Sequence, residues 1–72
     1  PDPRLPLSIA DQLGLRPSDF LYLGDTGTDM RTACGAGMHP VGALWGFRTA
    51  EELRENGARA LIEKPGELLG LI

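Results

Sequence analysis

Asp25 and Asp29 are the side chains of this sequence best placed by type and spacing to do chemistry. They stand four positions apart in Gly24-Asp25-Thr26-Gly27-Thr28-Asp29, on either side of a glycine-bearing turn. Two hard oxygen donors that converge suit Mg2+, which takes one or two carboxylates and leaves its other positions to water and phosphate oxygens. Thr26 and Thr28 add hydroxyls, and a helix starting here would offer unpaired N–H groups. The same residue types are ordinary turn and N-cap residues. The hexapeptide alone therefore leaves a purely structural role open.

For the two carboxylates to meet, a strand must end at Gly24 and a helix must begin soon after. Phe20-Leu21-Tyr22-Leu23 is a continuous apolar run bounded by turn signals, the pattern of a strand buried on both faces in a parallel sheet. A helix is expected from about Thr28 to Ala36, with Met30, Ala33 and Cys34 inward and Gly37 as its cap. Upstream, Pro3 to Leu13 reads as a helix with Leu5, Ile9 and Leu13 on one apolar stripe, closed by Gly14. Pro17-Ser18-Asp19 is a turn. Downstream, Met38 to Leu44 reads as a second strand and Trp45 to Arg48 as a loop. Thr49 and Glu52 have the spacing of a capping box for a helix ending near Asn56-Gly57. Ala60-Leu61-Ile62 is a short third strand, and Pro65-Gly66 opens a last helical turn.

Alternating helices and strands imply a layered α/β fold with parallel pairing and right-handed crossovers. In such sheets ligands bind beyond the carboxyl ends of the strands. That rule selects Gly24 to Asp29 and, after the second strand, Trp45 to Arg48. About three strands make half a sheet, so one sheet edge is expected to be open where further strands would pair.

Composition narrows the function. The chain has 72 residues and a formal net charge of −3. Its seven basic residues are scattered, which leaves no footprint for nucleic acid. No apolar run approaches the ~20 residues of a membrane span. One cysteine and one histidine exclude an intrachain disulfide and a Cys/His zinc site. A single thiol fits a reducing cytoplasm.

Other residues read more plainly. His39 beside Pro40 is expected to be structural, and Cys34 to be packed in the core. Trp45 and Phe47 are read first as core closure, with contact to a lid as the alternative. Glu51, Glu52, Arg54 and Glu55 are expected to form a solvated helix face. Arg48 could reach a substrate carboxylate, though its spacing does not demand it.

With its flanks included, the hexapeptide resembles the fourth motif, Gly-Asp-x-x-x-Asp after an apolar strand, of the haloacid dehalogenase-like hydrolases. Ala33-Cys34-Gly35-Ala36-Gly37 is similar to that superfamily's A-x-x-A-G helix ending. Val41-Gly42-Ala43-Leu44-Trp45-Gly46-Phe47 resembles the V-G-V-x-W-G-F stretch of its phosphoglycolate phosphatase branch. Glu52-Leu53, Gly57-Ala58 and Pro65-Gly66-Glu67-Leu68 also match that branch, so the likeness covers nearly the whole chain. Pro1-Asp2-Pro3 looks like the remainder of a third motif, K-P-x-P, without its lysine.

The resemblance implies the C-terminal part of a Rossmann-like core domain over residues 1–72, from a Mg2+-dependent phosphatase of a small phosphorylated metabolite. Asp25 would be a direct or near-direct metal ligand and Asp29 its partner through water or hydrogen bonds. Gly24, Thr26, Gly27 and Thr28 would form the loop of the site. The family's D-x-D nucleophile motif, its second motif and its cap domain have no counterpart here. The chain, which begins at Pro1 rather than Met, is thus expected to be a piece of a longer protein. By itself it should be inactive and aggregation-prone, with the missing N-terminal part as its natural partner.

Two other readings compete. A non-catalytic α/β module could hold a cation or a phosphate in the Gly24–Asp29 loop without turnover; a D-x-D motif upstream would distinguish the enzyme from it. A dinucleotide-binding unit fits poorly, because Gly24 and Gly27 do not complete G-x-G-x-x-G and Asp25 would repel a pyrophosphate.

Overall fold

The computed structural model describes residues 2–72; Pro1, part of the Pro1-Asp2-Pro3 stretch, lies outside the described residues. Helix α1 (Arg4–Leu13) leads through a 3-10 turn (Pro17–Asp19) into β1 (Leu21–Gly24). Helix α2 (Gly27–Ala36), β2 (His39–Ala43), α3 (Ala50–Glu55) and β3 (Ala60–Ile62) follow, and a second 3-10 segment (Pro65–Leu71) closes the chain. The expected alternation of helix and strand is therefore present, and the last turn is 3-10.

The three strands form one parallel sheet in the order β1-β2-β3. Leu21 lies opposite His39 and Gly24 opposite Gly42, while Val41 lies opposite Ala60. Parallel pairing in register brings the carboxyl ends of β1 and β2 side by side, so the loops after Gly24 and Ala43 are neighbours. Among the described residues β1 pairs only with β2, so β1 and β3 are the two edges of the sheet. An edge place also explains why β1 is only partly buried, with Leu23 exposed, rather than covered on both faces as its apolar run suggests.

Helix α2 packs on β1 and β2 and touches both α1 and α3. Met30, Ala33 and Ala36 of α2, Met38, Val41 and Ala43 around β2, Leu53 of α3 and Ile62 of β3 make the buried core. Gly14 (φ 69°) and Gly37 (φ 74°) end α1 and α2 in the left-handed conformation, as their positions require.

Two inward assignments need correction. On α1 the buried position is Ala10, which meets Ala33, Ala36 and Met38, whereas Leu5, Ile9 and Leu13 are exposed. The stripe exists, but Ile9 stands about 100° around the helix from Ala10. The small residue takes the inward place because α1 approaches α2 closely there. Cys34 is also exposed rather than in the core; its Sγ lies 3.9 Å from the Gly57 carbonyl oxygen on the flank of α2.

The amino-terminal end of the sheet is tied by side chains. His39 Nε2 lies 2.9 Å from the Ser18 carbonyl oxygen and its Nδ1 lies 2.7 Å from the Arg59 guanidinium, the structural role expected of this histidine. Arg16 holds Asp19 in the turn before β1, and the hydrogen bond from its guanidinium lowers the Asp19 carboxyl below its ordinary value. An open apolar groove of about 470 Å³, lined in part by Phe20, Leu21, Leu68 and Leu71, lies at this same end. It is remote from the Asp25 loop and carries no converging catalytic groups. No helix is long and apolar enough to cross a membrane among the described residues.

Candidate functional site

Strand β1 stops at Gly24, where a Cβ would come within 2.8 Å of Asp29 Oδ2. The chain then turns through Asp25 and Thr26 into α2, which begins at Gly27, one residue before the expected Thr28. Thr26 is the N-cap: its Oγ1 accepts from the Asp29 N–H at 3.1 Å. Asp29 answers across the turn, its Oδ2 accepting from the N–H of Thr26 at 3.3 Å and of Asp25 at 3.1 Å. This reciprocal capping box satisfies donors that would otherwise be orphaned at a helix start.

Asp29 thus has the structural role that its residue type allows. One carboxylate oxygen is committed to the backbone, and in holding the Asp25 N–H it fixes where Asp25 projects. The Asp25 carboxylate itself accepts no hydrogen bond and forms no ion pair with the described residues, and Asp25 is exposed at the carboxyl end of β1. Thr28 is exposed too, and its hydroxyl bonds no other described residue. We expect Thr26→Ala to cost about 0.5–2 kcal/mol, the usual penalty for losing an N-cap hydroxyl. A urea melt compared with Thr28→Ala, which should change little, checks this.

The helix start offers fewer free N–H groups than expected: among its first amides only that of Thr28 meets no acceptor among the described residues. The N–H groups of Asp25, Thr26 and Asp29 are taken locally, and the N–H of Gly27 donates to Glu52 Oε2 at 3.1 Å. Glu52 is therefore not part of a solvated face. Thr49 does cap α3 through the Glu52 N–H, but the Glu52 carboxylate turns to α2 instead of closing a capping box, and it pairs with Arg48 at 3.6 Å. No local signal marks a contact between residues 25 apart.

Trp45 and Phe47 follow β2 at the same end of the sheet. Both are exposed, so they do not close the core. Among the described residues no group of three or more His, Cys, Asp or Glu could hold a metal. The donor set that fits Mg2+ is thus a free carboxylate, Asp25, with Asp29 behind it, and these would form part of a coordination shell rather than all of it.

Comparisons with known proteins agree on the company this chain keeps. The family model described as HAD-hydrolase-like matches residues 1–65. The chain is 38% identical over 66 residues to a phosphoglycolate phosphatase of Xylella fastidiosa, an alignment covering 90% of this chain and 29% of that protein. The crystal structure of a hydrolase from Pseudomonas syringae superposes with a TM-score of 0.85 at 35% identity, over 96% of this chain and 32% of the other. A conserved haloacid dehalogenase-like protein of unknown function from Agrobacterium tumefaciens gives a TM-score of 0.89 at 27% identity, over 99% and 34%. The chain spans about three-tenths of the length of the relatives it matches.

Proposed function

This chain belongs to the HAD-hydrolase-like family, in its phosphoglycolate phosphatase-like branch, and on that premise we propose that it carries the metal-holding part of a Mg2+-dependent phosphatase. The fold is accordingly the three-strand parallel part of a HAD-like, Rossmann-like sheet. The substrate is a small phosphate monoester of the phosphoglycolate type. Hydrolysis proceeds through an aspartyl-phosphate on an aspartate outside these residues, and the 72 residues alone have no turnover. The open edge of β1 is where the N-terminal part of the same protein pairs.

The observation that carries the reading is the electrostatics of the Gly24–Asp29 loop. Its N–H groups at Asp25, Thr26, Gly27 and Asp29 are all consumed by protein oxygens, and two of the acceptors are carboxylates. What remains outward is the unpartnered Asp25 carboxylate, the one free charge of the loop, beside the N–H and hydroxyl of Thr28. Such a loop attracts a cation and repels a bare anion, which argues against a phosphate-binding module. Bound there, Mg2+ would offset the charge repulsion between an anionic ester and an attacking carboxylate. Asp25 holds the anchoring charge, while Asp29 fixes the Asp25 backbone. Exposed Trp45 and Phe47 lie at the same end and suit contact with a cap over the substrate. The single thiol, Cys34, fits action in the cytoplasm.

The test is phosphate release from phosphoglycolate by the full-length protein. Activity should vanish with a chelator and return with added Mg2+, and the 72-residue chain should release none. Chelator-insensitive hydrolysis, or turnover by residues 1–72 alone, would falsify the proposal.

A further inference from the structure

We propose that Glu52 is a positioning residue for the Asp25 loop, and that α3 with the turn before it sets the geometry of the metal carboxylate from behind. The inference rests on the reading of Asp25 as a metal ligand. Two independent contacts carry it.

The first is the long-range tie. Glu52 Oε2 accepts from the Gly27 N–H at 3.1 Å, and Arg48 draws Oε1 to the other side at 3.6 Å. The Asn56 side-chain amide donates to the Glu52 carbonyl at 2.8 Å and stands close over Gly27, where a Cβ would come within 2.6 Å of Asn56 Nδ2. α3 is thus pressed onto the first residue of α2. The other side-chain acceptors of this turn, Thr26 and Asp29, lie inside it and cannot fix it relative to the rest of the protein. Glu52 can.

The second contact is at Asp25 itself. A Cβ on Gly46 would lie 2.8 Å from Asp25 Oδ2 and 2.8 Å from Asp25 Cβ. The backbone after β2 therefore forms a wall against the Asp25 side chain, close enough that only glycine fits. Arg48 and Glu52 lie two and six positions after Gly46. One segment, residues 46–52, thus limits the Asp25 side chain at one end and anchors α2 at the other. A carboxylate left unpartnered at an exposed strand end needs such support to keep one orientation, because outer contacts set the geometry and affinity of a metal ligand.

The experiment is Mg2+ binding to the full-length protein by calorimetry, with amide hydrogen exchange at Gly27 as a readout independent of activity. Glu52→Gln keeps an oxygen within reach of the Gly27 N–H and should bind Mg2+ nearly as the wild type. Glu52→Asp keeps the charge but withdraws it by one methylene. It should weaken Mg2+ binding roughly 10-fold and speed Gly27 exchange. Glu51→Ala, next door and exposed, should change neither.

If Glu52→Asp binds as the wild type does, or if Glu52→Gln is the weaker of the two, the positioning role is overturned while the metal site stands. Faster Gly27 exchange with unchanged Mg2+ affinity also overturns it, leaving Glu52 as a helix cap only. A wild-type protein that binds no Mg2+ overturns the metal reading and this inference with it.

Discussion

Asp25→Asn should lower kcat/KM of the full-length protein for a phosphate monoester by about 10²-fold or more, the order lost when one preorganised electrostatic partner of a transferring group is removed. The fold should hardly notice. The Asp25 carboxylate bonds nothing among the described residues, and the backbone N–H that positions it is held by Asp29. Asparagine is the same size and leaves that bond intact, so stability should stay within about 0.5 kcal/mol, as for surface changes away from structural features. Asp29→Asn makes the informative contrast. Its oxygen accepts two backbone N–H groups at a helix start, so it should lose both activity and about 1 kcal/mol of stability through the weakened cap. Kinetics and melts on the two variants separate a residue that meets the metal from one that also builds the turn.

Leu53→Ala should have the largest effect on stability, about 2–5 kcal/mol, the range for emptying a fully buried leucine site. Leu53 is completely buried and is the main anchor of α3. It lies against the backbone of β2: a Cβ on Gly42 would stand 2.9 Å from Leu53 Cδ1 and 2.7 Å from Leu61 Cδ2. Folded proteins are stable by only about 5–15 kcal/mol, so the loss would be a large share of the total. Gly42→Ala should cost about 1–3 kcal/mol by overpacking the same place. Because Leu53→Ala opens the space that the Gly42 methyl needs, the double variant should be less destabilised than the two singles added together. Strict additivity in denaturant melts would mean that the two residues do not share a packing site. Since α3 also carries Glu52, Leu53→Ala should loosen the Gly27 contact as well.

What was legible in the sequence was local. Gly24-Asp25-Thr26-Gly27-Thr28-Asp29 announces a strand end, a turn and a cap within six residues, and the bonds of the cap itself span four positions or fewer. Gly14 and Gly37 mark helix ends by their own backbone needs. What was not legible depended on neighbours distant in the chain. Periodicity finds the Leu5-Ile9-Leu13 stripe but cannot say that Ala10 is the side that meets α2. The spacing of Thr49 and Glu52 promises a closed capping box, yet the Glu52 carboxylate has a better use at the helix start 25 positions back. Trp45 and Phe47 look like core residues by type, yet they stand exposed in the loop after β2. Cys34 follows Ala33 on α2 but falls where the chain near Gly57 passes rather than over a strand.

The central claim is that the free carboxylate at the end of β1 holds a divalent cation. Calorimetric titration of Mg2+ into the full-length protein and its Asp25→Asn variant tests it most directly. One bound Mg2+ in the wild type, with binding lost in the variant at unchanged melting temperature, is the expected result. Equal Mg2+ binding by both proteins would contradict the account.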